Sequence, residues 1–127
     1  MAKIAFKPHW DRKPISIDFD GVLHAFSRGY CQPDIYDPPM PGAHESLRRL
    51  LKEYAVHILT ARDKHEVIKW CRKQFPDLKF QIIPKTAQDW QIKDIIGVTN
   101  TKLAAIAYVD DRGIRFSNWA DICKYFL

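Results

Sequence analysis

Three short apolar runs end in the same way, and that recurrence constrains the fold more than any other feature of the chain. Pro14-Ile15-Ser16-Ile17 runs into Asp18-Phe19-Asp20-Gly21, Ala55-Val56-His57-Ile58-Leu59 into Thr60-Ala61-Arg62, and Ala104-Ala105-Ile106-Ala107-Tyr108-Val109 into Asp110-Asp111-Arg112-Gly113. Near-continuous runs of this length and β-branched content read as buried strands. On a straight strand residues i and i+2 share a face, so Asp18 and Asp20 would repel unless a cation or hydrogen-bond donors offset the charge. Taken alone, Asp18-Phe19-Asp20-Gly21 also reads as a strand entering an ordinary Asp-Gly turn. The two later runs with polar ends favour a site.

Between these runs lie helical patterns. Leu47, Leu50, Leu51 and Tyr54 fall at i, i+3, i+4 and i+7, with Arg48, Arg49, Lys52 and Glu53 between them, so residues 43–54 read as an amphipathic helix. Asp63 followed by Glu66 has the form of a capping box, and Ile68, Cys71 and Phe75 mark one face before Pro76 stops the run, giving a helix over about 63–75. Asn118 is a helix cap ahead of Trp119, Ile122, Cys123 and Phe126. Residues 79–83 and 94–98 each read as strands, with no convincing period between them. Strand alternating with helix implies parallel strands and right-handed crossovers.

With 127 residues, no repeat and no linker, the chain is expected to form a single domain over 1–127. Cys31, Cys71 and Cys123 include no CxxC and leave one thiol over in any disulfide scheme, which favours reduced thiols and a cytoplasmic setting. Neither a signal-like apolar core nor a span of about 20 apolar residues is seen, so a soluble protein with no membrane partner is expected. The net charge of +5 suits an acidic partner such as a phosphorylated substrate or a nucleic acid, and equally an ordinary basic protein.

In a parallel α/β sheet, ligands bind beyond the carboxyl ends of the strands. Asp18, Asp20, Thr60, Asp110 and Asp111 all lie at such ends. Four carboxylates at one edge call for a hard cation with oxygen ligands, which points to Mg²⁺ shared with a substrate phosphate. A single aspartate can attack phosphorus to form an aspartyl-phosphate, a second can move protons, and a threonine and a lysine can hold the phosphoryl oxygens.

Asp18-Phe19-Asp20-Gly21-Val22-Leu23, Leu59-Thr60-Ala61-Arg62, an upstream lysine and Val109-Asp110-Asp111-Arg112 resemble the four ordered motifs of the haloacid dehalogenase (HAD) superfamily. The resemblance covers residues 15–116. It implies a Rossmann-like, HAD-like three-layer α/β sandwich with a mostly parallel central sheet and a minimal cap or none. It further implies a Mg²⁺-dependent phosphomonoesterase with Asp18 as nucleophile, Asp20 as general acid and base, and Thr60 as phosphate ligand. The metal would be held by Asp18 and Asp110, the backbone carbonyl of Asp20, and Asp111. Lys102, eight residues before Asp110, is the preferred lysine, and Lys93 and Lys85 also fit. The pairing of Leu-Thr-Ala-Arg with Val-Asp-Asp-Arg is similar to the phosphatase domain of phage-type polynucleotide kinases, which makes Arg62 a phosphate ligand; the other reading is a helix-start arginine paired with Asp63 or a neighbouring carboxylate.

His24 is a candidate substrate contact, whereas His57, inside an apolar run, is expected to be a satisfied core histidine. Arg112 reads as a partner of Asp111. Trp10, Trp70, Trp90 and Trp119 read as packing residues. Residues 25–42, punctuated by Gly29, Pro33, Pro38, Pro39, Pro41 and Gly42, read as a long loop after the aspartates, too short for a folded cap. An open site and positive charge favour a nucleotide or nucleic-acid-end phosphate as substrate. The alternative function is a non-catalytic phosphate-binding or nucleic-acid-interaction module on the same fold.

Overall fold

The apolar runs become neighbouring parallel strands. The computed structural model of the chain describes residues 11–29, 34–110 and 114–127. In chain order its elements are β1 (Lys13–Asp18), α1 (Ala43–Leu51), β2 (Tyr54–Leu59), α2 (Lys64–Gln74), β3 (Lys79–Ile82), β4 (Ile95–Thr99), β5 (Ala107–Asp110), β6 (Ile114–Arg115) and α3 (Trp119–Phe126). The strands form one sheet ordered β3-β4-β2-β1-β5-β6, and every pairing is parallel. The α/β, Rossmann-like architecture expected from the sequence is the one adopted. The chain builds outward from β1 through β2, then crosses back to lay β5 on the other side of β1. The strand order therefore reverses at β1, and a crevice opens there at the carboxyl edge.

Alternation along the strands divides the core. Ile15, Ile17, Val56, Ile58, Ile96, Val98 and Val109 join Leu47, Leu50, Val67, Cys71 and Ile122 of the helices in the main cluster. Each such side chain, fully buried, stabilises the fold by about 1.5–3 kcal/mol. α1 packs on β2 and α3, and α2 packs on β3 and β4. On the opposite face, Ser16, His57 and Gly97 lie side by side in register, and Ile83 and Trp90 of a second cluster, which also holds Leu103, pack against Gly97. Among the described residues this third layer is loop, from the segments after β3 and β4, where the sandwich reading implied helices. Pro84 begins a turn closed by Ala87 N–H on its carbonyl, which explains the missing helical period there.

Helix ends follow the sequence signals unevenly. Asp63 caps α2 by accepting from His65 N–H at 2.8 Å, and Asn118 caps α3 by accepting from Asp121 N–H at 2.8 Å. α1 starts instead at Gly42, whose φ of 86° suits glycine and which makes no side-chain cap. The last long strand begins at Ala107 rather than Ala104, because residues 104–106 cross over the sheet, with Ala104 N–H bonded to Gln88 and Ile106 N–H to Pro14. β6 is too short for its two residues to show a pattern. The tryptophans pack as expected: Trp90 and Trp119 are buried, with indole N–H groups on the Ile95 and Val22 carbonyls, and Trp70 meets Phe19 edge-on. Trp10 lies outside the described residues. No helix among the described residues is long and apolar enough to cross a membrane.

His57 departs from expectation. It is a fully buried core residue, but neither ring nitrogen has a hydrogen-bond partner among the described residues. Burial pushes its pKa down to about 4, against a smaller opposing pull from Asp89. Below pH 6.5 the unfolded chain takes up a proton that the folded chain refuses, so stability falls as pH drops from 6.5 toward 4. The expected loss is up to about 2 kcal/mol between pH 7 and pH 5, read from urea unfolding midpoints, and His57→Leu should flatten it. An unchanged pH profile in that variant would contradict the assignment.

Gly97 supplies a second prediction. A Cβ built there would lie 2.6 Å from Ile83 Cγ1 and 2.9 Å from the Trp90 ring. Gly97→Ala should therefore destabilise the fold by about 1–3 kcal/mol through overpacking, measured by thermal or urea unfolding; a neutral result would place the loop layer elsewhere.

Candidate active site

The site grows from the end of β1. After Asp18 the chain winds tightly around the Phe19 carbonyl, which accepts from the N–H groups of Val22, Leu23 and His24 at 3.3, 2.9 and 3.0 Å. Gly21 makes this turn possible with a φ of 83°. The strand has ended by then, so Asp18 and Asp20 do not share a strand face. Asp18 faces the loop side, whereas Asp20 sits in the turn, four residues before His24.

A cleft of about 280 Å³ at the carboxyl edge is lined by Ser16, Asp18, Leu59, Lys102, Tyr108, Val109 and Asp110. Its position follows from the register: Ile17 pairs with Val109, so the next residues on β1 and β5, Asp18 and Asp110, are neighbours. Lys102 reaches the cleft from the segment after β4. Its Nζ lies 4.6 Å from the centre of the Tyr108 ring, and the Tyr108 hydroxyl donates to the Leu103 carbonyl at 2.6 Å. Tyr108 thus anchors the segment that carries the lysine. Lys93 precedes β4 and lies toward the amino edge of the sheet. Lys85 follows β3, three strands from β1, about 14 Å away at ordinary strand spacing. Only Lys102 of the three lines the cleft.

A second group gathers beside the cleft. Arg62 Nε donates to both oxygens of Asp20, at 3.0 and 2.9 Å, with both side chains about nine-tenths buried. The reading in which Arg62 pairs with a neighbouring carboxylate describes this geometry; Asp63 is occupied in capping α2. Thr60 is buried behind β2, where its Oγ1 accepts from Arg62 N–H at 3.0 Å and its own N–H bonds to the Thr99 carbonyl at 3.0 Å. His24 requires a correction. It has no exposed surface and cannot touch a substrate as placed, because the turn folds it inward against Phe19, Tyr36 and Trp70.

Two contributors escaped the sequence reading. Asn100 Nδ2 donates to the carbonyls of both Thr60 and Arg62 at 2.7 Å, holding the loop after β2 to the end of β4. The polar run Thr99-Asn100-Thr101 directly after an apolar strand was the available signal. Tyr108 was hidden as one more apolar residue of its strand. Asp111 and Arg112 lie outside the described residues.

Chemically, two adjacent carboxylates with a lysine at the mouth of the cleft form an all-oxygen anionic donor set with one cation. That set suits a hard divalent cation, which accepts few protein carboxylates and completes its shell with backbone oxygen, water and phosphate. Among the described residues no three His, Cys, Asp or Glu side chains form a single ligand group. Cys71 and Cys123 are buried free thiols, and burial pushes the Cys71 pKa upward, so Cys71 is not an activated nucleophile. Comparison with protein-family models, with curated proteins and with solved structures finds no match to this chain.

The Asn100 clamp predicts a measurable cost. Asn100→Ala removes two short hydrogen bonds and should lower stability by about 1–3 kcal/mol, read by urea unfolding, while Asn100→Asp should not restore it because a carboxylate cannot donate to either carbonyl.

Proposed function

We propose that this chain is a Mg²⁺-dependent phosphomonoesterase of the haloacid dehalogenase type, working through an aspartyl-phosphate on Asp18. The observation that carries the reading is the convergence of Asp18, Asp110 and Lys102 on one cleft at the point where strand order reverses. In the first step an Asp18 carboxylate oxygen attacks phosphorus as the ester P–O bond breaks, and Asp20 gives its proton to the departing oxygen. In the second, Asp20 takes a proton from water as that water attacks the phosphoryl group, returning Asp18 as a carboxylate. Lys102 offsets charge on the transferring oxygens. Thr60 offers a hydroxyl once its loop admits substrate. Asp18 and Asp110, with the Asp20 backbone carbonyl and Asp111, would hold Mg²⁺. Bound there, the cation would supply charge neutralisation for the phosphate.

The positive net charge and the segment 25–42, which holds no helix or strand among its described residues, favour a phosphate on a nucleotide or a nucleic-acid end. The buried free thiols fit a cytoplasmic setting.

The test is turnover, with and without Mg²⁺, on nucleoside monophosphates, 3′- and 5′-phosphorylated oligonucleotides, sugar phosphates and phosphopeptides. Asp18→Asn should lower kcat by at least about 1,000-fold and Lys102→Ala by about 100-fold, while Asp110→Asn raises the Mg²⁺ concentration needed. Phosphate binding without turnover on the whole panel would replace the enzyme with a binding module, and turnover unaffected in Asp18→Asn would remove the aspartyl-phosphate.

A further inference from the structure

His24 is completely buried, yet both its ring nitrogens are engaged in polar contacts. Nε2 lies 3.0 Å from the backbone N–H of Asp37. An amide can only donate, so Nε2 accepts and carries no proton. The proton is therefore on Nδ1, which donates to Asp20 Oδ1 at 2.8 Å. The ring is held in this orientation by a stacked contact with Phe19 at 5.6 Å and edge contacts with Tyr36 and Trp70.

The segment that supplies the Asp37 amide is tied to the same turn. The Leu23 carbonyl accepts from Met40 N–H at 2.7 Å, Ala25 N–H donates to Pro38, and the Asp37 carboxylate accepts from Ser27 N–H at 2.6 Å. One imidazole thus joins the loop after β1 to the carboxylate assigned to proton transfer. Among the described residues, Oδ1 of Asp20 accepts from His24 and Arg62, whereas Oδ2 accepts from Arg62. Oδ2 is the oxygen left to carry and deliver a proton.

We propose that His24 is a positioning residue that aims Asp20 for proton transfer, and that it does so only while the Asp37 segment is docked on its Nε2. This rests on the phosphomonoesterase reading. The consequence concerns the leaving group. As the Asp18–phosphorus bond forms and the ester P–O bond breaks, an alkoxide must take the proton of Asp20, whereas a nitrophenolate departs without it. Loss of aim therefore penalises alkyl phosphates selectively. A histidine that merely filled the core would, when replaced, affect both kinds of ester alike.

The experiment compares kcat/KM for glycerol phosphate and p-nitrophenyl phosphate in the full chain. Variants are accepted for assay when their thermal unfolding stays cooperative. His24→Gln places its carbonyl near the Nε2 position but lacks the Nδ1 donor; it should lose about 10- to 100-fold on glycerol phosphate and less than about 3-fold on the aryl ester. His24→Asn returns an N–H at the Nδ1 position and should recover part of that loss. Asp37→Pro deletes the amide donor and should show the same selectivity, whereas Asp37→Ala keeps the amide and should not. Equal losses on both esters in His24→Gln, or a wild-type ester ratio in Asp37→Pro, would overturn the proposal while leaving the phosphomonoesterase reading intact. Wild-type protein inactive on both esters and on every phosphomonoester of the wider panel would overturn that reading and this proposal with it.

Discussion

Two carboxylates at neighbouring strand ends set the terms for the rest of this molecule. The parallel register of β1 and β5 places Asp18 beside Asp110. At roughly 5 Å and an effective dielectric of about 20, two such charges repel by about 3 kcal/mol. Sequences free of other demands avoid that arrangement. Here the surrounding structure brings positive charge toward it, with Lys102 carried into the same cleft and held there by Tyr108. A site that gathers carboxylates and one lysine is suited to a divalent cation and a phosphate.

The sheet's two faces divide the labour. The helical face buries most of the apolar residues and holds the strands in register. The other face is covered by irregular segments whose backbone polar groups find partners in turns and strand edges. Lys102 comes from one of those segments, so the site combines rigid carboxylates on strands with a cation on a loop. On the far side, the turn after Asp18 and the loop after β2 meet through Arg62 and Asp20, and Asn100 ties that loop to β4. Three elements are therefore linked around Asp20, although only the first was evident in the aspartate motif.

What was legible in the sequence follows from how local each signal was. β1, β2, α1, α2 and α3 carry their periodicity within their own residues, with side-chain caps on α2 and α3, and they appear within a few residues of their expected bounds. The strand at 104–109 was drawn too long, because an apolar stretch can cross a sheet as readily as extend it. His24 illustrates the opposite limit. Its position after the aspartates suggested substrate contact, but its burial depends on Tyr36 and Asp37 from the loop and Trp70 from α2, which no local pattern encodes. The pairing of Arg62 with Asp20 spans 42 positions and was not visible in the sequence, which offered only Asp63 or a neighbouring carboxylate as an ion-pair partner. The choice among three lysines needed the strand order, which separates residues that sequence spacing cannot.

The central claim is that phosphorus becomes bonded to Asp18. The most direct measurement mixes the protein with Mg²⁺ and a phosphomonoester, quenches in acid within the first turnover, and locates the added phosphoryl group by mass spectrometry of the proteolytic peptides. A phosphoryl group is expected on the peptide containing Asp18, assigned by fragmentation to that residue and lost on treatment with neutral hydroxylamine. Rapid phosphate release with Asp18 unmodified at every quench time, or a phosphoryl group on another residue, would contradict that claim.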